Sequence, residues 1–194
     1  MWYKFVYGVL YGILWLMHHG TVVEGREKIP ETGCILCPNH RHLLDPVHVA
    51  FSLGHREKPR FMAKAELFKN RIFGAILRSV GAFPVKRGKA DIHSIRESLQ
   101  ILNDGGKLLI FPEGTRVKDG EEVDAKAGAA FLASRAGVPM VPMYIENSTK
   151  MFSIVKITVG EPILPEGKRP DLQEMSERLM AAIDELRRKA AGEH

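Results

Sequence analysis

Short apolar runs alternate with helix-patterned stretches from Thr21 to the C-terminus, and this alternation restricts the chain to one broad class of fold. Apolar or β-branched runs bounded by Gly, Pro, Asn or Asp read as strands at 21–24, 34–37, 60–63, 81–85, 108–111, 138–145 and 154–159. Between them apolar residues recur at helical spacing: Ile72, Phe73, Ile76, Leu77 and Val80 over 70–80, and Ile92, Ile95, Leu99 and Leu102 over 91–102. Further helices are expected over 45–53, over 125–136 with Gly137 closing it, and from Asp171, where Leu172, Met175, Leu179, Ile183 and Leu186 form the stripe. Asp45 before Pro46, and Asp91 and Asp171 before apolar runs, are placed to cap helix starts. Strands and helices in alternation argue an α/β fold, a single domain with a mixed, largely parallel sheet flanked by helices. Pro142, inside the strand at 138–145, is expected at a sheet edge or a bulge.

A chain of 194 residues suits one domain and can bury a core without disulfides or metals. Its two cysteines form a Cys34-x-x-Cys37 pair, but there is no second pair to complete a zinc site. Both lie in the apolar run Cys34-Ile35-Leu36-Cys37, so they are read as small core residues, in keeping with a reducing compartment. No metal cluster is expected.

Residues 2–17 are apolar apart from Lys4 and two glycines. As a helix they would span about 24 Å, short of the roughly 30 Å hydrocarbon core. One lysine and the sequence His18-His19-Gly20 do not make a signal peptide. Trp2, Tyr3, Phe5, Tyr7, Tyr11 and Trp15 suit the headgroup level of a bilayer. Residues 1–20 are therefore expected to form a membrane-associating helix that lies in, or dips into, one leaflet.

The net charge of +5 is unevenly spread: residues 56–89 carry ten basic and two acidic side chains, a charge of +8 against −3 for the rest. Such a segment attracts anionic lipid headgroups, an acidic carrier protein or nucleic acid. An apolar anchor plus a polybasic patch makes a two-signal membrane attachment. Nucleic acid is disfavoured, because the only aromatics there, Phe61, Phe68, Phe73 and Phe83, stand at positions that read as core.

There is no Gly-x-Ser-x-Gly elbow, no Walker loop and no Gly-x-Gly-x-x-Gly fingerprint, so serine hydrolysis and nucleotide binding lose support. Asn39-His40-Arg41-His42-Leu43-Leu44-Asp45 lies between a strand end and a helix start, where functional residues often sit. A histidine there can act as a base near neutral pH, and a nearby aspartate can fix its tautomer. In Phe111-Pro112-Glu113-Gly114-Thr115-Arg116 a strand delivers a tight turn, a hydroxyl and a guanidinium suited to phosphate. Gly81-Ala82-Phe83-Pro84-Val85-Lys86-Arg87 is another strand running into cations, and Val141-Pro142-Met143-Tyr144 lies in a late strand. Each segment alone has an ordinary structural explanation.

Taken in order, the Asn-His…Asp block, the Gly-x-Phe-x-x-x-Arg block, Phe-Pro-Glu-Gly-Thr-Arg and Val-Pro resemble the glycerolipid acyltransferase family, most of all its bacterial 1-acylglycerol-3-phosphate acyltransferases. The likeness covers about residues 22–160. It implies an acyltransferase domain over 21–194 in which His40, helped by Asp45, deprotonates the acceptor hydroxyl. It also implies that Glu113, Gly114, Thr115 and Arg116 bind the acceptor phosphate, with Arg87 and Lys64 assisting. The donor would be a thioester of acyl carrier protein or coenzyme A, with no cofactor. The acceptor would be lysophosphatidic acid, at the cytoplasmic face of the cell membrane in peripheral or monotopic attachment. The family often has serine where His42 stands, and Ile or Val where Pro84 stands. Another lysolipid or glycerol-3-phosphate as acceptor, and a non-enzymatic peripheral membrane protein, are the rival readings.

Overall fold

In the computed structural model, the strand β2 (Cys34–Pro38) is buried along its whole length, and its side chains alternate between two cores. Cys34 and Leu36 pack with Val49, Leu53 and Ile157, while Ile35 and Cys37 pack with Leu102, Ala130 and Leu179 on the other face. A strand covered on both faces needs such an unbroken apolar run. Because side chains alternate across a strand, the Cys34 and Cys37 thiols point to opposite faces and cannot converge on one metal or one disulfide. Both are buried and neither is in a disulfide. The structure describes residues 8, 9, 12, 19–53, 58–85, 91–113, 127–167 and 170–192.

The other strands are β1 (Thr21–Glu24), β3 (Arg60–Lys64), β4 (Ala82–Val85), β5 (Lys107–Leu109), β6 (Met140–Glu146) and β7 (Val155–Val159). They form one seven-stranded sheet in the order β1-β7-β6-β2-β5-β3-β4. Pairing is parallel throughout except between β6 and β7, so β1 and β7 run against the rest. The helices are α1 (Asp45–Leu53), α2 (Arg71–Ser79), α3 (Ile92–Asn103), α4 (Gly128–Ala136) and α5 (Leu172–Ala191). Helices α3, α4 and α5 cover one face through Ile101, Leu102, Leu132, Met175, Leu179 and Ile183. On the other face lie α1, through Val49 and Leu53, and α2, through Leu77. The mixed, largely parallel sheet flanked by helices is the architecture expected.

Capping follows the sequence at two helices, through Asp91 and Asp171, and Asn70 adds a third cap that was not anticipated. The side chains of Asn70, Asp91 and Asp171 each accept from two main-chain N–H groups of the first turn of α2, α3 and α5. Gly137 closes α4 at φ +66°, a left-handed conformation that favours glycine. The α5 stripe holds at Met175, Leu179, Ile183 and Leu186, all buried.

Other expectations need correction. Pro142 sits in an internal strand rather than at an edge, opposite Cys37 of β2. The ladder on its other side is interrupted there, between the bridge Met140↔Ile163 and the first β6–β7 pair, Met143↔Val159. The Pro142 carbonyl accepts from Gly160 N–H on that side, and its nitrogen faces the same way, so no ladder donor is lost. In α2, Ile72 and Phe73 are exposed although their spacing places them with the core residue Leu77. Of residues 1–18 only Gly8, Val9 and Gly12 are described, all helical, so the expected leaflet helix lies outside the described residues. Among the described residues no helix is long and apolar enough to cross a membrane.

Candidate active site

Five parallel strands, β2 to β6, end on one edge of the sheet, and β7 and β1, running the other way, begin there. Open α/β sheets place ligands outside the carboxyl ends of their strands. On that edge β2 delivers residues 39–44, β3 ends at Lys64, β4 ends at Val85, and β5 leads to Phe111 and Glu113.

His40 is fixed from four directions. Asn39, itself buried, clamps the β2 exit to β6: its Oδ1 accepts from Ile145 N–H at 2.6 Å and its Nδ2 donates to the Ile145 carbonyl at 3.2 Å. The His40 main-chain N–H donates to Glu113 Oε2 at 3.0 Å. The imidazole lies on the Phe111 ring, centroids 3.9 Å apart and planes inclined by 25°. Nδ1 meets Asp45 Oδ2 at 3.0 Å. A carboxylate can only accept, so Nδ1 carries the proton and Nε2 holds the lone pair of the neutral ring. The His40 side chain is 15% exposed and that of Asp45 fully buried, which leaves the ring reachable and its partner dry.

Asp45 does not cap α1. Its Oδ2 also accepts from the main-chain N–H groups of Arg41 and His42, each at 2.7 Å, so the carboxylate folds the preceding loop around itself. Burial pushes the Asp45 carboxyl up. The hydrogen bond from His40, those from His42 and Arg41 N–H, and the buried Ser148 hydroxyl outweigh it and hold the group below its ordinary value. Burial raises the Glu113 carboxyl, and the bond from His40 N–H offsets this only in part. His42 stays within the loop, where its Nδ1 accepts from Leu44 N–H at 3.4 Å.

A ring nitrogen backed by a buried carboxylate has the arrangement that a general base requires. The Acyltransferase family profile matches residues 20–146. The chain belongs to that family. A relative named 1-acyl-sn-glycerol-3-phosphate acyltransferase from Bacillus subtilis is 31% identical over 96% of this chain and 98% of its own. One of the same name from Streptococcus pneumoniae is 36% identical over 74% of this chain, which spans about half (53%) of that relative. The solved structure of the 1-acyl-sn-glycerophosphate (LPA) acyltransferase PlsC from Thermotoga maritima superposes with a TM-score of 0.72 at 26% identity, covering 95% of this chain and 79% of that one.

Of the acyltransferase residues anticipated from sequence, the structure brings His40, Asp45 and Glu113 together and leaves Lys64 exposed at the end of β3 on the same edge. Arg87, Gly114, Thr115 and Arg116 lie outside the described residues. The sequence reading assigned no role to the Phe111 ring under His40, to the Asn39 clamp or to Ser148 beside Asp45. The first two stand inside motifs already singled out. Ser148 carries no local signal, because only the pairing of β6 with β2 brings it to the site.

Proposed function

We propose that this acyltransferase moves a fatty acyl group from the thioester of acyl carrier protein or coenzyme A to the 2-hydroxyl of 1-acylglycerol-3-phosphate, giving phosphatidic acid. The observation that carries the reading is the His40–Asp45 pair at 3.0 Å, with Nε2 as the lone-pair nitrogen. The names of the relatives support the acceptor.

His40 Nε2 takes the hydroxyl proton as the oxygen attacks the thioester carbonyl. The tetrahedral intermediate collapses, the C–S bond breaks, and the imidazolium returns its proton to the leaving thiolate. A positioned base of this kind contributes about 10²–10⁴-fold. Asp45 stabilises the imidazolium that forms between the two steps. The thioester is already activated, so no further cofactor is required.

Lys64, Arg87 and Arg116, with Gly114 and Thr115, hold the acceptor phosphate; cations suit its double charge. Glu113, anticipated among them, is assigned instead to holding His40. Its carboxylate accepts from His40 N–H, and a second negative charge would repel the phosphate. Residues 1–20 hold the enzyme at the cytoplasmic face of the membrane in peripheral or monotopic fashion, supported by their apolar and aromatic make-up.

The test is transfer of a labelled acyl group from either donor to 1-acylglycerol-3-phosphate in detergent micelles, comparing wild type with His40→Ala. Product from wild type alone supports both reaction and base. Substantial turnover by the variant refutes the base, and no product from wild type with either donor discards this acceptor.

A further inference from the structure

A cleft of about 260 Å³ lies on the catalytic edge between the β6–β7 connection and the last turns of α5. Pockets that enclose a whole small ligand run to roughly 300–1,000 Å³, so this one suits a single group of a longer molecule. Three cations line it, each from a different element: Arg41 from the loop after β2, Lys150 from the β6–β7 connection and Arg187 from α5. The hydroxyl residues Ser148 and Thr149 line it as well. Among the described residues Glu146 is the one acid of the lining. Its Oε1 accepts from Asn147 Nδ2 at 3.1 Å, and it stands opposite Lys156 in the β6–β7 ladder. The carbonyl end of α5 would by itself repel an anion. It is capped, Gly192 N–H donating to the Lys189 carbonyl at 3.2 Å, and Arg188 and Lys189 stand in its last turn.

Its position relative to the His40–Asp45 pair is a second, independent observation. Arg41 follows His40 directly, and its main-chain N–H donates to Asp45 Oδ2 at 2.7 Å; Ser148 lies beside Asp45. The cleft is also on the far side of β2 from the residues assigned to the acceptor phosphate. Lys64 ends β3, and the others follow β4 and β5 in sequence. Those three strands lie to one side of β2, whereas the cleft lies toward β6, on the other.

We infer that this cleft binds the phosphate of the acyl donor's pantetheine arm, the group that acyl carrier protein and coenzyme A have in common. For the identity of that ligand the inference rests on the proposed function. Transfer between two substrates brings the donor's carbonyl to the acceptor's hydroxyl beside His40. An acceptor held from the β5 side leaves the β6 side for the donor. The arm is long, with its thioester at one end and its phosphate at the other, so a small cationic cleft beside the dyad can hold the phosphate while the thioester reaches the base. Arg41 and Arg187 offer planar forks to the phosphate oxygens, and Lys150 adds a point charge.

The test uses the full chain in detergent micelles with two small donors, an S-acylphosphopantetheine and the S-acylpantetheine that lacks its phosphate. At saturating acceptor the wild type should show a Km about tenfold lower for the phosphorylated donor. Lys150→Gln with Arg187→Gln should erase that preference and raise the Km for each full donor the wild type uses, with the Km for 1-acylglycerol-3-phosphate unmoved. Arg187 Nε also donates to Asp184 Oδ1 at 2.9 Å, an exposed pair of little weight, so Asp184→Asn serves as the control and should keep the preference. Equilibrium dialysis of acyl-free phosphopantetheine, without acceptor, reads the site apart from the chemistry; the double variant should bind it about tenfold more weakly than the wild type. Equal Km values for the two small donors in the wild type overturn the inference, as does a preference that survives the double variant or a rise confined to the Km for acceptor. A loss seen with acyl carrier protein but not with the phosphorylated small donor overturns it too, and assigns the cations to the carrier's acidic surface. Phosphopantetheine bound by the wild type and not by the double variant, without transfer from any donor, would count against the proposed function and leave the phosphate site standing.

Discussion

Asp45→Asn separates what the carboxylate does for the fold from what it does for the base. In the wild type one oxygen, Oδ2, accepts three hydrogen bonds, from His40 Nδ1, Arg41 N–H and His42 N–H. The asparagine carbonyl can occupy that position and keep the two main-chain bonds, so the loop should survive. What is lost is charge: three charge-assisted bonds become neutral ones, a net cost of about 1–3 kcal/mol. For a chain of this size that lowers the melting temperature by about 2–12 °C. The catalytic loss should be far larger. A neutral amide neither enforces the Nδ1–H tautomer nor stabilises the imidazolium, and in a comparable triad that change costs about 10⁴ in kcat. The assay pairs calorimetry with single-turnover transfer at a temperature where both proteins are folded. A variant that melts normally and turns over within tenfold of wild type would refute the tautomer argument. A loss of rate no greater than the loss of folded protein would do the same. The pH dependence supplies a second check. The folded-state pKa of Asp45 is depressed. Its stabilising contribution is therefore complete above the ordinary carboxylate value of about 3.9 and disappears as pH falls through the lower folded value. Between wild type and Asp45→Asn the stability gap should narrow across that acid window and stay constant above it.

Glu113→Gln should retain most activity, because the amide oxygen still accepts from His40 N–H, whereas Glu113→Ala should lower kcat with little change in the Km for acceptor; a pure Km effect would return Glu113 to the phosphate site. Asn39→Ala removes a buried two-point clamp on Ile145 and should cost about 2–4 kcal/mol, read as a melting temperature lower by about 4–16 °C; an unchanged melting temperature would show that the clamp is dispensable. Arg116→Ala should raise the Km for the phosphorylated acceptor and spare that for the donor, which steady-state kinetics with each substrate varied in turn would reveal.

The sequence by itself determined the parts of this protein that depend on near neighbours. The alternation of apolar runs with helical stripes predicted every strand and helix of the sheet and its two layers, because burial on both faces demands unbroken runs like Cys34-Ile35-Leu36-Cys37. Asp91 and Asp171 cap helices through groups two and three residues away, a distance at which pattern is sufficient. His40 and Asp45 stand five apart on one loop, and their pairing was legible for the same reason. Tertiary structure decided the rest. Asp45 could have been a cap or a partner for His40; in the fold its Oδ2 takes its bonds from His40, Arg41 and His42, on the loop before it, and none from the first turn of α1. Glu113 reaches His40 across 73 residues, and Asn39 reaches Ile145 across 106, through the placement of β5 and β6 on either side of β2. Ile72 and Phe73 carry the period of a buried face, yet they lie in water, because no element of the described structure covers the first turn of α2. Periodicity records which side chains share a face of a helix, and only the assembled fold determines what that face meets.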